Sequence, residues 1–481
     1  MRRIKLHLPS ALAAIATALA LSGCANFSPD GGLSAVQASA KADLGADVVK
    51  ISDDVQAGNA EARVRGLLKK GLTADRAVQA ALLGNKGLQA AFNDLGISEA
   101  QYVEASLPPN PSFSYLLVSG SGQLDIERRI VGNLLSLLTL QARTDIAQAR
   151  FAGAQLKAVN ATLKLAADTR RQFFRAVAAA EQVTYLAQAR SGAQTASELA
   201  KRLGETGAMG KLDQAREHAF YADISAQIAK ARVQQGLEKE RLTRLMGLWG
   251  RDAAYALPSR LPPLPGKLKA PAQIEAEAIE RRADLKLARN GLEGVAKQYG
   301  LTKATRYINA FDVSGALYSS RSRTSDPATG AVHVEKKNQP GFEIAFEIPI
   351  FDWGEARTKE AEETYMRAAN LLAEKAVNIR SEARESYLAY RGAWDVARVY
   401  QSQVLPLRKI IQEEQTLQYN GMLADLFNLL QDARLRTLSN MAAIDARRDF
   451  WIADADLKAA IVGGGISGGD AKTATNSAGG E

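Results

Sequence analysis

Cysteine is almost absent, with Cys24 the only one among 481 residues. No intrachain disulfide can form, and no cysteine-based metal site can be built. Histidine is nearly as scarce. His7 lies at the extreme N-terminus, and His218 and His333 stand 115 positions apart in different elements, so no pair has the spacing of a metal site. Neither a Gly-rich phosphate loop nor a Gly-x-Ser-x-Gly elbow occurs. We therefore expect no enzyme, no catalytic residue, no bound metal and no cofactor. Long apolar runs are missing too: beyond the N-terminus no segment has 18 consecutive apolar residues, which excludes a transmembrane helix. The net charge of +9 is spread as alternating-sign pairs along helical stretches. That pattern marks solvated helix faces, and no nucleic-acid partner is expected.

The N-terminus points to export. Arg2, Arg3 and Lys5 precede an apolar stretch, Leu8–Leu21, too short to span a bilayer. Leu21-Ser22-Gly23-Cys24 then resembles a bacterial lipobox, in which the cysteine becomes the lipidated first residue. Residues 1–23 are expected to be the signal and 24–71 a lipid-anchored, mostly irregular arm. Ala25, in place of Asp, favours the outer membrane by resemblance to the sorting rules for such lipoproteins. The expected location is the outer membrane of a Gram-negative bacterium, lipid-anchored and extending into the periplasm. Such a protein either hangs in the periplasm or crosses the membrane as β-strands.

What is abundant is repetition. Ala81, Leu88, Ala91, Asn93, Leu95, Gln101 and Tyr102 recur as Ala278, Leu285, Ala288, Asn290, Leu292, Gln298 and Tyr299, displaced by 197. Ile130, Ala142, Arg143, Thr144, Ala147, Ala154, Arg170 and Gly207 recur as Ile344, Ala356, Arg357, Thr358, Ala361, Ala368, Arg384 and Gly421, displaced by 214. A repeat redefines the folding unit. The chain divides into a first repeat, 72–257, a Pro-rich linker, 258–271, a second repeat, 272–462, and a Gly/Ser-rich tail, 463–481, expected to be disordered. The 17 residues gained in the second copy lie around the polar run Ser319–Gln339, expected to be a long surface loop.

Each repeat carries the same order of elements. The first predicts a helix from Thr73 to Leu107, stopped by Pro108, Pro109 and Pro111. A strand at Ser112–Ser119 and a poorly patterned partner at Ile126–Leu138 follow. A long helix, Gln141–Leu203, then carries a seam of Leu156, Val159, Leu163, Ala166, Phe173, Val177, Ala180, Thr184 and Ala187. A break at Gly204–Gly210 leads to a helix from Lys211 to Leu248. The second predicts a helix at Ile274–Tyr307, strands at Asn309–Ser319 and Phe342–Phe351, a long helix at Glu355–Tyr419, and a last helix ending near Ile461. Its seam runs through Tyr365, Ala369, Leu372, Ala376, Ile379, Ala383, Ser386, Tyr390, Ala393 and Ala397, the spacing of a close-packed coiled coil. A helix of about 63 residues spans roughly 95 Å, and the two shorter helices of each repeat could stack end to end beside it. Pro406 sits at the position of Gly192, so matched bends are expected in the two long helices.

The fold class that follows is α+β: a long α-helical coiled-coil barrel with a β-hairpin at one end of each repeat. The strand Phe342, Ile344, Phe346, Ile348, Ile350, with Glu343, Ala345, Glu347 and Pro349 between them, alternates as a barrel strand does between lipid and a wet lumen. We read the five bulky residues as lipid-facing, and Glu343 and Glu347 as lumen-facing. Four strands cannot close a barrel, and an open edge cannot sit in hydrocarbon. The chain must therefore assemble with copies of itself.

Three motifs in order carry a resemblance. Phe351-Asp352-Trp353-Gly354-Glu355-Ala356-Arg357 after Pro349 resembles the strand-to-helix junction of TolC-type outer-membrane factors. Tyr419-Asn420-Gly421 followed by Leu429-Leu430 and Ala433-Arg434 resembles their turn in the last coiled coil, and Leu107–Pro111 resembles their entry to the first strand. The first repeat departs from the pattern, with Leu137-Leu138-Thr139-Leu140 at its junction. The resemblance implies a homotrimer with a twelve-stranded transmembrane barrel, four strands from each chain, and a periplasmic helical tunnel. It implies a periplasmic adaptor and an inner-membrane pump as partners, with outer-membrane lipid around the barrel. It also implies a passive efflux or export duct whose periplasmic end is held shut beside the helix breaks. By position the gate candidates are Tyr419, Asp425, Asp432 and Arg434 in the second repeat, and Arg202, Asp213 and Arg216 in the first. The alternatives are the channel of a type I protein secretion system and a periplasmic coiled-coil lipoprotein with a structural or adaptor role.

Overall fold

The computed structural model describes residues 27–268, 273–325, 327, 329–421 and 426–465. The signal segment, Cys24, Asp425 and the tail from 466 lie outside them. In chain order the elements are α1 (Ser34–Ser39), α2 (Asp54–Lys69), α3 (Ala74–Gly84), α4 (Lys86–Ser106), β1 (Ser112–Gly120), β2 (Gln123–Asn133), α5 (Leu134–Leu138), α6 (Leu140–Glu205) and α7 (Lys211–Leu245). There follow α8 (Ile274–Arg281), α9 (Ala283–Ala304), β3 (Phe311–Ser325), β4 (Val332–Phe346), α10 (Glu355–Val399), α11 (Leu405–Asn420) and α12 (Leu426–Val462).

The chain forms two compact units. One comprises Asp94–Ala154 and Leu287–Ala373 with 27–32; the other comprises Leu33–Asn93, Gln155–Lys286 and 374–465. Neither unit is a repeat, because each draws on both repeats. The hydrogen bonds of the sheet explain this: the strand order is β1-β2-β3-β4, all antiparallel, so the hairpin of the first repeat is joined to that of the second through β2 and β3.

In the first unit two aromatic pairs stack. Tyr102 stacks on Phe151 with centroids 5.8 Å apart, and Tyr299 stacks on Tyr365 at 6.4 Å. These are repeat-equivalent pairs, displaced by 197 and 214. The β1–β2 turn is two residues, Ser121 and Gly122, both at positive φ, which suits a right-twisted hairpin. The polar run Ser319–Gln339 is not a long loop. It continues β3 to Ser325 and begins β4 at Val332, so the inserted residues mainly lengthen a hairpin. Apart from Val332 and Val334 this extension is polar on both faces, which weakens the alternation that marks a strand, while the backbone pairing persists. At its other end β4 stops at Phe346, because its partner strand begins at Phe311 and Pro349 has no N–H to offer. Glu347, Ile348 and Ile350 therefore lie outside the strand. β2 stops at Asn133, whose side chain accepts from the Ser136 N–H at 2.6 Å and starts α5 where the sequence predicts continuing strand.

The junction motif has a mechanical explanation. Asp352 Oδ1 accepts from the N–H groups of Gly354 and Glu355, capping α10. Gly354 has φ +76°, and a Cβ there would lie 2.5 Å from the Arg306 carbonyl. Arg306 donates to the Trp353 carbonyl at 2.8 Å, and Arg357 donates to the Thr305 carbonyl at 2.7 Å. Entry and exit of the second hairpin are thus bolted together.

The second unit is built round the middle of α6, where Arg171–Ala180 are buried almost continuously. A helix enclosed on all sides shows no single apolar stripe. Phe173, Phe174 and Val177 pack with Leu72, Leu83, Leu242, Met246 and Ile444. Farther along, Thr184 and Ala187 are exposed and the seam passes instead through Leu186, Ala193 and Ala200. The seam of α10 buries Ile379, Ala383, Ser386, Tyr390 and Ala397 as its spacing predicts. The linker is held by two indoles: Trp451 Nε1 donates to the Pro262 carbonyl and Trp394 Nε1 to that of Pro265, each at 3.1 Å. Prolines supply only acceptors, so donors must come from elsewhere.

Four further expectations change here. The arm is largely helical, since Asp53 caps α2; only Ala60 and Val64 of that helix are buried, too few to give an apolar period. The two entry helices are broken at repeat-equivalent positions, Asn85 and Arg282. Only the second long helix has an irregularity, a π turn at Tyr400–Val404 beside Pro406, while Gly192 lies within unbroken helix. The missing Pro406 N–H forces that adjustment, whereas glycine removes no hydrogen bond. Finally, the tail begins ordered, with Gly463 and Gly464 buried against Leu163.

Candidate functional site

The sheet has two chemically opposite faces, fixed by register. Ser112, Ser114, Glu127, Arg129, Ser314, Tyr318, Gln339 and Glu343 share one face, with Leu116, Val118 and Val131 among them. On it Arg129 forms the centre of a polar cluster. It pairs with Glu127 at 2.7 Å and Glu343 at 2.8 Å and donates to the Tyr318 hydroxyl at 3.3 Å. Glu343 therefore lies on the polar face. The opposite face carries Phe113, Tyr115, Leu117, Ile126, Ile130, Leu317, Phe342, Ile344 and Phe346. Most of these are exposed, Phe342 at 71% and Phe346 at 62%. Ile348 and Ile350 are exposed too, but beyond the strand. β1 and β4 each have a strand partner on one side only, so both outer edges present free backbone donors and acceptors.

The helix breaks bring together part of the gate set. The first break, between α6 and α7, turns through Gly207 at φ +74°. On α7, Arg216 pairs with Asp213 at 3.1 Å. Arg434 on α12 reaches across to donate to the Arg216 carbonyl at 3.0 Å, lies 4.0 Å from Glu217, and stands 4.5 Å from the centre of the Phe220 ring. Arg216, Asp213 and Arg434 thus form one cluster. Tyr419, half-buried in the last turn of α11, Asp432 on α12 and exposed Arg202 on α6 make no ion pair with it. Asp425 lies outside the described residues.

Glu217 is the residue that motif reasoning missed. It is 2% exposed, and one carboxylate oxygen has no hydrogen-bond partner among the described residues. A signal existed: Glu217 lies one heptad before Ile224, on the face that buries Ile224 and Ile228, so an acid occupies a seam position. Beside it Ser197 Oγ meets His218 Nδ1 at 2.5 Å. Burial pushes the Glu217 carboxyl above the usual carboxylate range and Asp213 adds to that, while Arg434 and His218 oppose it. An acid whose folded pKa is raised stabilises the fold fully below its unfolded pKa, and loses that contribution as pH climbs through the folded value. Glu217→Gln is accordingly expected to melt at a higher temperature than wild type at pH 7.5, the gap closing near pH 4. Equal melting temperatures at both pH values would contradict this account.

Among the described residues no helix is long and apolar enough to cross a membrane, and no group of three metal-ligating side chains occurs. No protein-family model and no curated protein sequence matches the chain. Solved structures do. A membrane protein from Pseudomonas aeruginosa aligns with 81% of this chain and 92% of its own, with TM-score 0.68 and 19% identity. The Campylobacter jejuni CmeC outer membrane channel aligns over 82% and 87%, at 0.64 and 17%. The open state of the Neisseria gonorrhoeae MtrE outer membrane channel aligns over 83% and 89%, at 0.64 and 17%. The fold of this chain is that of outer-membrane channels.

Proposed function

We propose that three copies of the chain form an outer-membrane channel of a tripartite efflux or export system, a passive duct gated beside its helix breaks. The observation that carries this reading is the exposed apolar face of a sheet with two open edges. The apolar rows run from Phe311–Phe346 to Leu117–Ile126, about 27 Å along a strand and about 21 Å along the axis of a barrel tilted near 40°. That is close to the ~25 Å apolar band of outer-membrane barrels. Pairing β1 of one copy with β4 of the next satisfies both edges, and three copies give twelve strands. Phe342, Ile344 and Phe346 then meet lipid, while Glu343 and the Arg129 cluster line the lumen. A coiled-coil lipoprotein that stays in the periplasm has no use for such a face.

The remaining parts follow from the same reading. Cys24 carries the lipid anchor. A periplasmic adaptor and an inner-membrane pump supply the energy. Drugs, metal ions and polypeptides all fit a duct, so a type I secretion channel is one form of the same assembly. Arg434 ties α12 to α7, and Asp213, Arg216 and Glu217 complete the latch.

The purified protein is expected to give discrete conductance steps in planar lipid bilayers. Arg434→Ala, which cuts the tie between the two helices, is expected to increase the mean conductance severalfold. A complete absence of pores would sink the channel reading. Pores unaltered by Arg434→Ala would remove the latch but leave the channel.

A further inference from the structure

The charges of the sheet are segregated in a way that the channel reading does not require. All five acidic residues of the four strands, Asp125, Glu127, Asp312, Glu335 and Glu343, fall on the polar face. The apolar face has no acid and four cations: Arg128, Arg321, Arg323 and Lys336. Three of them gather at the hairpin-turn end. Arg321 stands directly opposite Lys336, and Arg323 is the next residue along β3 on the same face. All four are exposed, and none has an ion pair among the described residues. Like charges directly opposed across two strands are destabilising. Lumenal charge offers no explanation, because these side chains project from the other face.

Their height gives the reason. The row Ser119–Leu124–Arg321–Lys336 is the first beyond the apolar belt on the side away from the helices. At that height the surroundings of a membrane barrel change from hydrocarbon to head groups. Arg128 lies two rows nearer the helices, beside Tyr115 and Leu317 in the register. An arginine there extends its stem over apolar surface and its guanidinium towards the polar boundary. Resting on the membrane reading, we propose that Arg321, Arg323 and Lys336, supported by Arg128, bind the phosphate groups of a phosphorylated glycolipid of the outer leaflet. Guanidinium groups match phosphate oxygens in two-pronged geometry, and a bridging dianion turns the Arg321–Lys336 repulsion into shared attraction. Six apolar or hydroxyl neighbours on that face, Leu117, Ser119, Leu124, Ser319, Val332 and Val334, leave acyl chains and sugar hydroxyls room beside it.

The test compares wild type with Arg321→Gln/Arg323→Gln/Lys336→Gln, both purified in detergent as full chains. Each is titrated with bisphosphorylated lipid A, with its dephosphorylated form, and with inorganic phosphate, and bound lipid is read by native mass spectrometry. Wild type is expected to favour the bisphosphorylated form by about a hundredfold, the effect of roughly three surface cations. The triple variant is expected to lose that preference while conducting normally in phosphatidylcholine bilayers, which shows that it still folds. No preference in wild type, or an undiminished preference in the variant, overturns the proposal. Displacement of the lipid by inorganic phosphate at matched concentration overturns it too, since the site would then serve a soluble anion. If wild type forms no pores at all, the membrane reading fails and this site fails with it; pores without phosphate preference defeat the site alone.

Discussion

Phe342→Arg is expected to prevent stable insertion of the channel, whereas Ala345→Arg on the same strand is expected to be tolerated. Phe342 lies in the middle row of the apolar face, in register with Gly315 and level with Ile130 and Phe113. Placing arginine there costs about 2–4 kcal/mol per copy at the bilayer midplane, and three copies in a closed barrel pay it together. Ala345 is three residues on and therefore on the other face, opposite Asp312. An arginine at 345 meets water and a carboxylate. The measurement is the fraction of trimer recovered in the outer-membrane fraction, with urea midpoints in lipid vesicles as a second readout. A soluble amphipathic sheet makes the opposite prediction, because arginine on an exposed face at 342 would then improve solubility. Equal recovery of the two variants would therefore count against lipid contact on this face.

The second large effect concerns the break between α8 and α9. Arg282 is 4% exposed and holds Asp284 with two bonds of 2.9 Å, while also pairing with Glu382. Lys375 reaches Asp284 at 3.2 Å. Burial alone would raise the Asp284 carboxyl, but Arg282 and then Lys375 hold it below its ordinary value. Arg282→Ala leaves Asp284 with Lys375 alone and Glu382 without its arginine, and such a loss typically costs about 3–5 kcal/mol. Since a carboxyl with a depressed folded pKa stabilises above its unfolded pKa and ceases to as pH falls through the folded value, the deficit should be greatest near neutrality and shrink in acid. Arg282→Leu/Asp284→Leu removes both members of the closest pair and should recover part of the loss, the remainder reflecting Glu382 left without Arg282. Denaturant midpoints at pH 7.5 and pH 4 check both statements. A double variant as weak as the single one would show that the pair matters through packing and not through charge.

These two sites also show where legibility ended. Asn85 and Arg282 are repeat-equivalent, yet they break their helices by different chemistry. Asn85 caps α4 through Leu88 N–H and donates to the Leu245 carbonyl; Arg282 pairs with Asp284, two residues on, and with Glu382, one hundred positions away. Leu245 and Glu382 are distant in sequence, so both breaks lay hidden inside single periodic stretches. Of the gate candidates, Arg434, Arg216 and Asp213 lie in one cluster. Glu217 was passed over because a lone acid on a helix reads as solvated until its partner helix is known. In the sheet, the short strands with apolar alternation were legible, and their polar extensions at Ser319–Ser325 and Val332–Gln339 were not.

By itself the sequence determined the displaced matches along the chain, the order of helix and hairpin, the α10 seam, and the place of the strand-to-helix junction at Asp352. All of these rest on periodicity and local chemistry, which a single chain carries in its spacing. Only the tertiary structure decided that the two hairpins merge into one sheet through β2 and β3, and that each compact unit takes parts from both repeats. It also decided which face each charge of the sheet occupies. Strand register is a relation between distant segments, and a shift of one residue would send every side chain to the opposite face. The displaced matches are written along the chain, but the two-faced sheet exists only once the strands have paired.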